Sequence, residues 1–146
     1  MCIRDRLKKV GKLPVRVLKE IPGYMLNRIQ TAVYRECWSL LEQGVASAED
    51  IDLGVRTSFG FRYSVIGPLL TYDLGGLETA YRGIKNLWPK ISDTHDPPLG
   101  MKKLVEAGHY GEKTGRGVFN YSRAEWDEIK KRRDKQLLQL LKVLYW

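Results

Sequence analysis

Pro22-Gly23-Tyr24-Met25-Leu26-Asn27-Arg28 opens a long apolar helix, and the reading of that stretch decides the fold of this 146-residue chain. A Pro-Gly pair ends the element before it and lets the backbone turn. Behind the pair, Leu26, Ile29, Val33, Cys37, Leu40 and Leu41 recur at helical spacing, and Tyr34, Trp38 and Val45 widen the stripe. The pattern predicts a helix running to about residue 43 and stopped by Gly44. A face this broad predicts cover on two sides.

Upstream, residues 13–20 (Leu-Pro-Val-Arg-Val-Leu-Lys-Glu) alternate as a short strand, with Pro14 suited to a sheet edge. No second strand is readable nearby. A solitary strand leaves its ladder groups unpaired, so this one is expected to belong to the sheet of an upstream domain.

Downstream, the chain reads as helices. Ser47-Ala48-Glu49-Asp50 is a capping box opening a helix to about residue 56. Residues 60–66 read as a loop, and Gly67-Pro68 starts a helix bearing Leu70, Leu74, Leu77, Tyr81, Ile84 and Trp88 on one face. Gly75-Gly76 interrupts it. Each interior glycine costs about 1 kcal/mol relative to alanine, so either the helix kinks or another backbone packs close. Residues 92–98 read as a loop and 99–107 as a short helix stopped by Gly108. The stretch Gly111-Glu112-Lys113-Thr114-Gly115-Arg116-Gly117-Val118-Phe119 is punctuated by glycine and then turns extended. Ser122-Arg123-Ala124-Glu125 is a second capping box, opening a last helix with Trp126, Ile129, Leu137, Leu140, Leu141 and Leu144 as its apolar positions. The expected fold class is all-α, a helical bundle preceded by one orphan strand.

The length suits one domain with a sizeable core, and 43% hydrophobic with 29% charged residues is a globular composition. No apolar run reaches the roughly 18 residues of a membrane span. Cys2 and Cys37 stand alone, which points to a reduced, cytoplasmic setting. The net charge of +8 raises the question of a nucleic-acid partner. However, Lys130, Lys131, Arg132, Arg133 and Lys135 interleave with Glu125, Asp127, Glu128 and Asp134, the lacing of a solvated helix, and no basic-aromatic repeat accompanies them.

Few residues offer chemistry. No Gly-x-Gly-x-x-Gly follows a strand, so the chain has no dinucleotide fingerprint. His95 and His109 are far apart and neither cysteine has a partner at ligand spacing, so no metal site is expected. No serine or cysteine sits beside an evident base. Lys113 is either part of a tight turn or a cation aimed at a ligand. Asn27, one turn into an apolar helix, is either an exposed polar residue or an amide facing a cleft.

The order and separation of these signals resemble the C-terminal domain of the 3-hydroxyacyl-CoA dehydrogenases. The likeness rests on Gly11-Lys-Leu-Pro-Val-Arg-Val, residues 22–28, Gly44-Val-Ala-Ser-Ala-Glu-Asp-Ile-Asp52, Gly67-Pro68 and Lys113-Thr-Gly-Arg-Gly117. It implies a bundle of the 6-phosphogluconate dehydrogenase C-terminal-like type. It also implies that residues 1–21 end an upstream nucleotide-binding domain, 22–121 are the helical domain and 122–146 an extension. In that family a Rossmann half binds NAD and carries a catalytic His–Glu pair, while the helical half closes the substrate cleft and dimerises. By that resemblance Asn27 is the active-site asparagine and Lys113 the lysine contacting NAD. The His–Glu pair has no counterpart in this chain, which is expected to be inactive alone. The stretch Gly60-Phe-Arg-Tyr-Ser-Val-Ile-Gly-Pro68 resembles the carnitine and gulonate dehydrogenase branch, which includes a lens crystallin. Residues 1–6 fit nothing in the family. The readings to test are half of an NAD-dependent 3-hydroxyacyl-CoA dehydrogenase active in fatty acid metabolism, half of a related 3-hydroxy acid dehydrogenase, and a non-catalytic dimerisation module. A homodimer is expected through the helices starting at Tyr24 and Pro68.

Overall fold

A computed structural model describes residues 2–145 and is all-α, as expected. In order come α1 (Ile3–Lys9), α2 (Met25–Glu42), α3 (Ala48–Thr57), α4 (Phe59–Tyr63), α5 (Pro68–Gly75), α6 (Leu77–Leu87), a 3-10 turn (Trp88–Lys90), α7 (Leu99–Glu106) and α8 (Arg123–Tyr145). The chain divides into two compact units, Met1–Tyr34 and Arg35–Trp146, with α2 running across the boundary.

In the first unit, α1 was not anticipated. Asp5 in its first turn and Arg6, Lys8 and Lys9 in its last complement the helix dipole. The strand expected over residues 13–20 does not form; the segment is irregular. Alternation alone makes no strand when no second strand completes the ladder. Next comes the turn into α2. Gly23 and Tyr24 both take left-handed conformations, at φ 82° and 54°. For a non-glycine residue this costs about 1–2 kcal/mol. Tyr24 N–H donates to Ile21 O at 3.2 Å, Tyr24 O accepts from Arg28 N–H at 3.1 Å, and Arg28 Nη1 donates to Pro22 O at 3.3 Å. These bonds hold the strained corner.

In the second unit, both serine caps form where the sequence placed them, and at Ser122 the capping box is complete. Ser47 Oγ accepts from Asp50 N–H at 3.1 Å, and Glu125 Oε2 accepts from Ser122 N–H at 2.7 Å. Residues 60–66, expected as a loop, instead begin with α4. There α3 and α4 meet so closely that a Cβ on Gly60 would lie 2.6 Å from Val55 O. The Gly75-Gly76 alternative resolves as a kink: Gly76 sits at φ 87° between α5 and α6, and no backbone lies within 4 Å of where its Cβ would stand. Asp73 accepts from Gly76 N–H through its carbonyl at 3.3 Å, and its carboxylate joins no ion pair among the described residues. The C-terminal half of α2 receives α7: Glu42 Oε1 accepts from Gly100 N–H at 2.6 Å, and Trp38 packs where a Gly100 Cβ would be, at 3.3 Å. Nearly two turns earlier on α2, Glu36 Oε2 accepts from Ser92 N–H at 2.7 Å.

The sizeable core expected from length is absent. None of the described residues is buried. The chain exposes 12634 Å²; a folded monomer of this mass exposes about 7,700 Å². Leu26 (62%), Leu69 (79%), Leu74 (70%) and Tyr81 (67%) lie open on the helices expected to be covered.

Candidate functional site

Asn27 is the third residue of α2 and is exposed. The first-turn N–H groups of a helix lack intrahelical partners and carry the positive end of its dipole. An amide there, directly after the left-handed Gly23-Tyr24 corner, can donate to a carbonyl or hydroxyl oxygen. Asn27 belongs to the first unit and Lys113 to the second.

Lys113 sits in a closed loop. Gly111 N–H donates to Arg116 O at 2.7 Å across an isolated antiparallel bridge. Thr114 stands inside it, its Oγ accepting from Tyr110 N–H at 2.9 Å and donating to Arg116 O at 3.1 Å. Tyr121 N–H closes the far end on Gly115 O at 3.3 Å. Gly111 and Gly115 take φ 68° and 71°, and a Cβ on Gly117 would meet Gly111 Cα at 2.9 Å. The loop can therefore close only with glycine at those points. Lys113 is exposed on it.

A feature the sequence reading missed lies beside Lys113. Glu112 Oε1 is 2.7 Å from Lys130 Nζ and 3.7 Å from Arg123 Nη1. Asp127 closes the figure, 3.1 Å from Lys130 and 3.6 Å from Arg123. Two anions and two cations thus alternate in a ring. The hydrogen bond from Lys130 holds the Glu112 carboxyl below its ordinary range, with Lys130 and Arg123 adding Coulombic attraction. The same bond, with one to Asp127, holds the Lys130 ammonium above its ordinary range. The signal was readable: Arg123, Asp127 and Lys130 fall at i, i+4 and i+7, one helical face. That Glu112 completes it is a matter of tertiary structure. The base of α8 is further fixed by Trp126, edge-on to Tyr121 at 5.1 Å, which stacks on Phe119 at 6.0 Å. Trp126 Nε1 is enclosed there without a hydrogen-bond partner.

Elsewhere the chemistry is sparse. Cys37 is half-buried, and burial, then Asp52 and Glu36, push its thiol above the ordinary range. Among the described residues no three His, Cys, Asp or Glu side chains group as metal ligands. No helix among them is long and apolar enough to cross a membrane.

The sequence model of the 3-hydroxyacyl-CoA dehydrogenase C-terminal domain matches residues 23–121. The chain belongs to this family. It is 50% identical to lambda-crystallin of Oryctolagus cuniculus over 119 residues, 81% of this chain and 34% of that protein. It is 40% identical to the L-carnitine dehydrogenase of Burkholderia mallei over 100 residues, 68% of this chain and 31% of that protein. Among solved structures, an NAD+-dependent dismutase, 5-formyl-3-hydroxy-2-methylpyridine 4-carboxylic acid 5-dehydrogenase, matches with a TM-score of 0.94 at 32% identity. That likeness covers 97% of this chain and 46% of the other, so it takes in α8, beyond the family match. The chain spans less than half the length of each of these relatives.

Proposed function

We propose that this chain is the substrate-binding and dimerisation half of an NAD-dependent 3-hydroxyacyl-CoA dehydrogenase, residues 1–21 ending an upstream nucleotide-binding half and 122–146 extending the helical domain. The reading is carried by one observation: the family match includes both the Asn27 turn and the Lys113 loop, and both side chains stand exposed. Asn27 orients the substrate's 3-oxygen through its amide. Lys113 supplies a cation to the dinucleotide's phosphates; the closed glycine loop presents it and suits a polyanion. NAD, when bound, accepts the hydride. This chain contributes one cation to its site and no fingerprint, so most of the grip comes from the other half. Two unpaired cysteines suit a reducing, cytoplasmic setting.

The exposed apolar faces of α2, α5 and α6 are read as surfaces covered in a homodimer and by the upstream half. A second substrate reading, a small 3-hydroxy acid, is favoured by the carnitine dehydrogenase and lambda-crystallin likenesses and by the Phe-Arg-Tyr stretch in α4. The test joins this chain to a family nucleotide-binding half and compares NADH formation from 3-hydroxybutyryl-CoA and from carnitine. Turnover of the first alone supports the acyl-CoA reading, and of the second alone the hydroxy-acid reading. Turnover of neither leaves the chain a dimerisation module.

A further inference from the structure

The ring Glu112–Lys130–Asp127–Arg123 ties the glycine loop to a helix lying beyond the residues that the family model matches. Three members stand on one face of α8, and the fourth immediately precedes Lys113 in sequence. Single exposed ion pairs hold little, because solvent screens them and two long side chains must be ordered. This arrangement differs in two ways. Each charge has two partners, and Lys130 is only about one-third exposed, at 32%. The helix end carrying the ring is also fixed from below by the Trp126–Tyr121–Phe119 stack and by the Ser122–Glu125 cap.

We propose that Lys130 and Arg123 are positioning residues for the cofactor: by gripping Glu112 they anchor the loop 111–117 on α8 and so hold Lys113 where the dinucleotide needs it. The proposal rests on the reading of Lys113 as the cofactor-facing lysine. It assigns α8 a part in cofactor binding rather than that of a passive extension. Without the grip, the loop keeps its internal bridge and Thr114 bonds but hinges at its ends, Tyr110 and Tyr121.

Two measurements test it together. Amide hydrogen exchange on this chain reads the loop directly. In Lys130→Met, exchange at residues 111–117 rises about 2–5-fold, the scale of a surface network, while α3 is unchanged; Lys130→Arg restores protection. In the enzyme joined to its nucleotide-binding half, Lys130→Met raises the NAD KM about 2–5-fold with kcat unchanged. Lys113→Met serves as the reference and raises it at least as much. Unchanged exchange in Lys130→Met overturns the proposal. So does raised exchange with an unchanged NAD KM while Lys113→Met raises it. An unchanged KM in Lys113→Met instead sinks the reading of Lys113 itself, and the positioning role with it.

Discussion

At the scale of single residues, Asn27 and the ring around Glu112 carry the sharpest expectations. Asn27→Ala in the joined enzyme is expected to lower kcat about 10²–10³-fold, the usual cost of one donor to a reacting oxygen, with NAD KM and helix content unchanged. Steady-state kinetics beside circular dichroism read both. The ring predicts a pH window. Glu112 and Asp127 are depressed, so their contribution is present above the ordinary carboxylate pKa and is lost as pH falls below that range through their lowered folded-state values. Lys130 is raised, so its contribution is full below the ordinary lysine pKa and is lost as pH climbs above about 10.4. Arg123 acts on both carboxylates and Lys131 on Asp127, each adding Coulombic attraction in the same direction as Lys130. Loop exchange, corrected for its intrinsic pH dependence, should be flat between the two limits and rise beyond either. Cys37, its thiol pushed up mainly by burial, should alkylate more slowly at pH 8 than a small free thiol, followed by mass spectrometry.

Among the elements, the Glu42–Gly100 bond joins α2 to the first turn of α7. It works as a helix cap supplied from another helix. Glu42→Ala is expected to destabilise the second unit by about 1 kcal/mol, within the usual range for a lost cap. Urea unfolding followed by Trp38 fluorescence would detect it, and an unchanged midpoint would deny the role. Elements with local causes were legible in the sequence. Ser47, Ser122, Gly44 and Gly108 mark helix ends through their own backbone chemistry, and the structure puts the ends there. Elements decided by partners were not. Residues 13–20 alternate like a strand and lack a second one, and α4 forms where a loop was expected, pressed on Val55 through Gly60. For the candidate site, the residues themselves left Asn27 and Lys113 each with two alternative readings, and only the family resemblance gave them the roles proposed above. Glu112 was invisible because its partner Lys130 is 18 residues away.

For the molecule as a whole, composition promised a core and the structure has none among its described residues. The apolar residues are there and stand exposed; under the proposed function their cover is a second copy and the upstream half. A homodimer is therefore expected at micromolar concentration by light scattering, and Leu74→Glu on α5 should shift it toward monomer. A stable monomer without exposed apolar surface would contradict that assembly. The central claim, that this is one half of a two-part dehydrogenase, meets its most direct test in an NADH absorbance assay with 3-hydroxybutyryl-CoA and carnitine as substrates. The chain alone should form no NADH, and the same chain joined to a family nucleotide-binding half should turn over, with Asn27→Ala suppressing that rate. Enzymatic turnover by the chain alone, or none after joining, would contradict it.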